Sequence, residues 1–100
     1  MIFVSGQLPT TSSGESLQES DFATQVRQAL ANVFAIVRAG GSTPDRILKV
    51  TAFVVGPERS PQFNALYAEA FGSHRPARST VPVRELANGY LVEIEAIALQ

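Results

Sequence analysis

Between Tyr90 and Leu99 the side chains alternate with a period of two, and the two faces this creates differ in kind. Val92, Ile94, Ala96 and Ala98 fall on one face, while Leu91, Glu93, Glu95, Ile97 and Leu99 fall on the other. Successive side chains of a strand point to opposite sides of its sheet, so the segment reads as a strand. The small aliphatic face suits close packing under helices. The other face mixes large apolar residues with two carboxylates, which suits neither plain solvent nor a dry core. We read it as a face that meets another subunit, with the carboxylates in or beside the resulting cleft.

The rest of the chain supplies helices and further strands. Ile2 to Ser5 is a short apolar run ending at Gly6, and Thr10 to Gly14 is a Ser/Thr/Gly-rich loop. From Asp21 onward, Phe22, Val26, Leu30, Val33 and Val37 recur at helical spacing, with Ala29 and Phe34 widening the stripe. Ser20 is the expected N-cap, Asp21 suits the positive end of the helix dipole, and Gly40-Gly41 supplies the left-handed stop. Ile47 to Val55 is rich in β-branched residues and ends at Gly56-Pro57, marking a strand. A second helix carries Pro61 in its first turn, places Phe63, Leu66, Tyr67, Ala70 and Phe71 on one face, and closes at Gly72. After a loop from Ser73 to Ala77, Thr80 to Arg84 is a strand whose Pro82 predicts an edge or bulge. Asn88-Gly89 is a turn leading into the final strand. Strands interrupted by two helices predict an α+β fold, a mixed sheet with both helices on one face.

One hundred residues make one domain over 1–100, since domains run from about 50 to 250 residues. A chain this size buries only roughly 60–70% of its unfolded surface, and its apolar content of 45% exceeds what a lone small domain easily hides. Both facts favour an oligomer. Without cysteine, thiolate zinc sites, disulfides and a cysteine nucleophile are excluded, and one histidine, His74, cannot assemble a metal site with others of its kind. No metal or cofactor is expected. No apolar run reaches the roughly 18 residues a bilayer span needs, and Met-Ile-Phe-Val-Ser-Gly lacks a leader's basic start, so a cytoplasmic protein is expected. A net charge of −1 disfavours nucleic acid as a partner.

Three segments carry a familiar order: Val4-Ser5-Gly6-Gln7-Leu8-Pro9, Pro76-Ala77-Arg78-Ser79-Thr80-Val81, and Val92-Glu93-Ile94-Glu95-Ala96-Ile97-Ala98. With the helix running from Gln25 through Val33-Phe34-Ala35-Ile36-Val37 to Gly41, and the segment Phe63-Asn64-Ala65-Leu66-Tyr67, the chain resembles the RidA/YjgF family over nearly its whole length. The resemblance implies a chorismate-mutase-like homotrimer with a central barrel, helices outside and three clefts between subunits. It implies an enamine/imine deaminase that hydrolyses 2-aminoacrylate-type intermediates to 2-keto acids and ammonia, with a small imine, enamine or keto-acid carboxylate as partner. Members of the family commonly carry a further N-terminal strand, and the chain is expected to begin too late to contain it.

Imine hydrolysis requires an anchored carboxylate and managed protons around the attacking water. Arg78 offers a planar fork that binds a carboxylate bidentately, and the resemblance places the family's anchoring arginine there. Glu93, by the match to the family's Glu-Ile-Glu strand, would hold and deprotonate the water. Supporting contacts are expected from the Thr80 backbone amide, where many members carry cysteine, and from Ser5 beside Gly6, whose lack of a side chain permits close approach. Competing structural readings are weighed beside these: Arg78 pairing with Glu93 or Glu95, both glutamates merely solvated, Thr80 a plain β-former, His74 solvated without a role, and Tyr67 core. The rival functions are a non-catalytic small-carboxylate-binding trimer and an endoribonuclease or translation inhibitor, for which Arg75, Arg78 and Arg84 form only a small basic cluster.

Overall fold

The computed structural model describes residues 1–100. In chain order its main elements are β1 (Ile2–Gln7), α1 (Phe22–Ala39), β2 (Ile47–Val55), α2 (Ser60–Phe71), β3 (Ala77–Val83) and β4 (Val92–Ala98). The period-two segment becomes an inner strand, because the sheet order is β1-β4-β2-β3. Both of its pairings are antiparallel, and β2 runs parallel to β3, joined by the crossover through α2 that parallel neighbours need. The expected mixed sheet with helices on one face is the architecture observed.

Register explains the core. Val92, Ile94 and Ala96 of β4 lie opposite Val54, Ala52 and Val50 of β2, and all six are buried. Above them sits the apolar stripe of α1, with Val26, Ala29, Leu30, Val33 and Val37 in the same cluster. Small residues at Ala52, Ala96 and Ala98 let the helix layer approach closely, and α2 adds Phe63, Leu66, Tyr67 and Phe71.

The element ends depart from expectation in physically legible ways. The cap of α1 is Asp21 rather than Ser20: its carboxylate accepts the Thr24 amide at 2.8 Å, while the Ser20 carbonyl is taken by the Gln25 side chain at 2.9 Å. At the other end Gly41 alone is left-handed, with φ +87°, and Gly40 is not. β3 starts at Ala77, ahead of Thr80, because β2 offers ladder partners from Lys49 onward, and Pro82 sits on this edge strand as expected. β4 starts at Val92 because the backbone amides of the two residues before it are committed elsewhere, that of Tyr90 to the Ala87 carbonyl. Tyr90 buries its ring and bonds Ser16 Oγ at 2.6 Å, and the Leu91 amide donates to Gln25 Oε1 at 2.9 Å. β1 runs through Gly6 to Gln7, with a bulge between Val4 and Gln7. His74 is half-buried, its Nε2 2.8 Å from the Ile47 carbonyl, rather than solvated.

The face away from the helices carries Phe3, Phe53, Val81 and Ile97 among Lys49, Thr51, Ser79, Glu93 and Glu95. Phe3 is 73% exposed there. No helix is long and apolar enough to cross a membrane.

Gln25 is the one fully buried polar side chain of α1, and it ties the helix start to the preceding loop through the Gln18 and Ser20 carbonyls and to the approach of β4. Gln25→Leu strands a buried amide and two carbonyls, so urea unfolding should show a loss of roughly 2 kcal/mol or more. The cap bond holds the Asp21 carboxyl below its ordinary value of 3.8, chiefly through the hydrogen bonds from Thr24. A lowered folded value means that the cap's stabilisation is present above that ordinary value and fades as pH falls toward the lower, folded one. Acid-range melts of Asp21→Asn, which caps without titrating, should lack this component of the pH dependence.

Candidate functional site

Alternation along β3 decides where its polar side chains go. Arg78 and Thr80 are in register with Val50 and Ala52, whose side chains are buried on the helix side. Their side chains therefore share the layer between the sheet edge and α2. There the helix repeat brings Asn64, Tyr67 and Ala68 onto one flank of α2, three and four residues apart. Arg78 Nη2 donates to Asn64 Oδ1 at 2.9 Å, and its guanidinium carbon lies 4.6 Å from the Tyr67 ring centroid and 5.6 Å from that of Phe63. A planar cation seated on an aromatic face and tethered at one nitrogen keeps its remaining donors aimed outward. An open cleft of about 420 Å³ adjoins it, lined by Asn64, Tyr67, Ala68, Arg75, Pro76 and Arg78.

Two hydroxyls in this region are buried without a hydrogen-bond partner, Tyr67 Oη and Thr80 Oγ1. Burial pushes the Tyr67 phenol pKa up, and the Arg78 and Arg75 guanidiniums oppose the rise. Two neighbouring cations therefore act on one wall of the cleft.

A second group of residues lies at the other side of the sheet. The β1 bulge brings the Gly6 backbone against Glu93, so closely that a Cβ at residue 6 would stand 2.0 Å from Glu93 Oε2. Only glycine accommodates the carboxylate there. Glu93 is half-buried and faces away from the helices, in the row of Phe53 and Val81, while Glu95 is exposed. Gln7 Nε2 donates to the Ser5 carbonyl at 3.1 Å.

Of the residues expected from sequence, the structure gathers Arg78 with Thr80, and sets Gly6 against Glu93 with Ser5 next to Gly6 in the β1 bulge. It does not join the two groups within one chain, because they occupy opposite faces of the sheet with β2 between β3 and β4. Arg78 pairs with neither Glu93 nor Glu95 in the chain; its partner is Asn64. Sequence reading missed Asn64 and Arg75, and gave Tyr67 to the core, which holds for its ring and omits its orphan hydroxyl. The available signal was the three-residue spacing of Asn64 and Tyr67 beside the apolar stripe of α2. No three His, Asp or Glu side chains converge as metal ligands. A further hollow of about 350 Å³, between Leu8 and Ile36, has no ionisable lining, and its Asn32 amide is already bonded to the Leu8 and Thr10 carbonyls.

Comparison with known proteins identifies relatives of the chain over its whole length. The sequence model of the family described as Endoribonuclease L-PSP matches residues 1–100. Protein HMF1 of Saccharomyces cerevisiae is 38% identical over 100 residues, 100% of this chain and 77% of the relative. The Escherichia coli K12 protein named 2-iminobutanoate/2-iminopropanoate deaminase is 42% identical over 104 aligned residues, 100% of this chain and 80% of the relative. The crystal structure of E. coli TdcF with bound serine superposes with a TM-score of 0.89 at 37% identity, covering 98% of this chain and 79% of that chain. With the signature segments, the mixed sheet under two helices and these matches in agreement, the chain belongs to the endoribonuclease L-PSP family, the RidA/YjgF family that its motifs resemble.

Proposed function

We propose that this protein is an enamine/imine deaminase, hydrolysing 2-aminoacrylate-type intermediates to 2-keto acids and ammonia at clefts between the subunits of a homotrimer. The observation that carries the reading is Arg78: a guanidinium with no carboxylate partner, held on an aromatic face at the rim of a cleft. Such a group suits the carboxylate of an amino-acid-derived imine. The uncovered face bearing Glu93 and the exposed Phe3 suits burial by a second copy. Two half-sites on opposite faces of one sheet can meet only when the edge of one protomer approaches the open face of another.

In the joined site, the Arg78 fork holds the substrate carboxylate and fixes the adjacent C=N carbon in place. Glu93 accepts a proton from water as the water oxygen bonds to the carbon of the protonated imine, giving a neutral carbinolamine. The carboxyl then returns that proton to nitrogen, and as the C–N bond breaks and ammonia leaves, the carboxylate takes up the hydroxyl proton so that the carbonyl forms. Proton handling of this kind is worth about 10²–10⁴ in rate. The Thr80 amide and the backbone at Ser5 and Gly6 serve as supporting contacts. A binding-only role also draws support from the serine held by TdcF, and it would use Arg78 without Glu93.

Keto acid and ammonia release from freshly generated 2-iminobutanoate tests the reading. Wild type should accelerate it. Arg78→Ala should abolish turnover and carboxylate binding without unfolding the protein, because the side chain is exposed. Glu93→Gln should keep binding and lose turnover by about 10²-fold or more. If Glu93→Gln turns over like wild type, the catalytic assignment fails and the binding-only role remains. Co-refolding the two inactive variants should restore part of the activity, because mixed assemblies contain clefts carrying neither substitution. Absence of recovery would argue that both groups act within one protomer.

A further inference from the structure

Arg78 is one of two guanidiniums in the cleft at the β3 edge. The other is Arg75, in the loop between α2 and β3, whose Nη1 donates to the Gly72 carbonyl and, at 2.9 Å, to that of His74. The ion pairs within the chain are Arg27 with Glu69 and Arg59 with Glu58, so neither cleft arginine is neutralised by its own protomer, and no carboxylate of that protomer lines the cleft. Each is instead tethered through one terminal nitrogen to an uncharged acceptor, Asn64 for Arg78 and backbone carbonyls for Arg75. A guanidinium carries five N–H donors, so both keep donors for a ligand. Tethers of this kind fix position without cancelling charge. Two cations fixed beside one hollow repel each other, and an anion spanning both converts that repulsion into attraction. A monocarboxylate needs only Arg78.

We propose that the cleft prefers substrates with two carboxylates, Arg78 holding the one beside the reacting C=N carbon and Arg75 holding the one at the far end of a short dicarboxylic imino or oxo acid. The inference rests on the deaminase reading for which carboxylate lies at the reacting end; the pairing with two arginines does not depend on turnover.

Calorimetric titration of the assembled protein with 2-oxoglutarate and with 2-oxobutyrate, at matched ionic strength, tests it. The dicarboxylate should bind about tenfold tighter or more, the worth of one added charge-assisted contact, and the margin should shrink as salt is raised. Arg75→Gln should remove the difference while leaving 2-oxobutyrate affinity unchanged. Arg75→Lys, which keeps charge without the fork, should retain part of it. Arg78→Gln should weaken both ligands. Equal affinities in wild type, a preference that survives Arg75→Gln, or no binding of either compound would overturn the inference. If 2-oxoglutarate is preferred through Arg75 but no imine is hydrolysed, the two-carboxylate site stands and the deaminase reading falls. If imines are hydrolysed with no preference, the reverse holds.

Discussion

The double pairing of β4 beneath α1 is the constraint on which the rest of the structure depends. An inner strand must satisfy two hydrogen-bond ladders and one dry face together, and the small residues of β4 meet both demands. With that face committed, strand geometry leaves Glu93 and Glu95 no freedom: they project from the side the helices do not cover. The placement of the carboxylates is therefore a by-product of packing the core, and Gln25 reinforces it by fixing the point at which the chain enters β4.

Electrostatics at the β3 edge follow a different logic. Arg78 is kept in place by ring stacking and an amide oxygen, neither of which competes for its charge as a carboxylate would. A salt bridge would have ordered the side chain equally well and removed its capacity to bind an anion. The orphan Tyr67 hydroxyl sits in the same layer, an unfavourable burial beside the cleft.

Much of the architecture was legible in the sequence because it rests on periodicity. The stripe of α1 and the alternation of β4 each have a single way to bury their apolar side, and Asn88-Gly89 announces its turn through its left-handed backbone. Element ends were less legible, since they depend on competition among distant partners. Ser20 and Asp21 are both good caps in isolation; the choice was made by Gln25, which claims the Ser20 carbonyl. Tyr90 and Leu91 continue the strand pattern, yet the Tyr90 hydroxyl is drawn off by Ser16 and the Leu91 amide by Gln25, far away in sequence, and only the Leu91 carbonyl still meets β2, at the Val55 amide. For the site, Arg78 and Glu93 were readable as chemistry, but their separation onto opposite faces became clear only once the register of β2 against both neighbours was known. Asn64 offered only its three-residue spacing from Tyr67, and Arg75 only its place in a small basic cluster, because a polar residue on a helix flank or in a loop is ordinarily just solvated.

The contact between Gly6 and Glu93 ties the place of one carboxylate to the absence of one side chain. A methyl group at residue 6 would compete for the space of a carboxylate oxygen. The backbone there needs no special conformation, since Gly6 is absent from the positive-φ glycines, so alanine would fold without strain and act solely by displacing the acid. A single added carbon at the bulge would thus reposition the acid while leaving the arginine edge untouched. One face of the sheet can accordingly be altered through its backbone without disturbing the other.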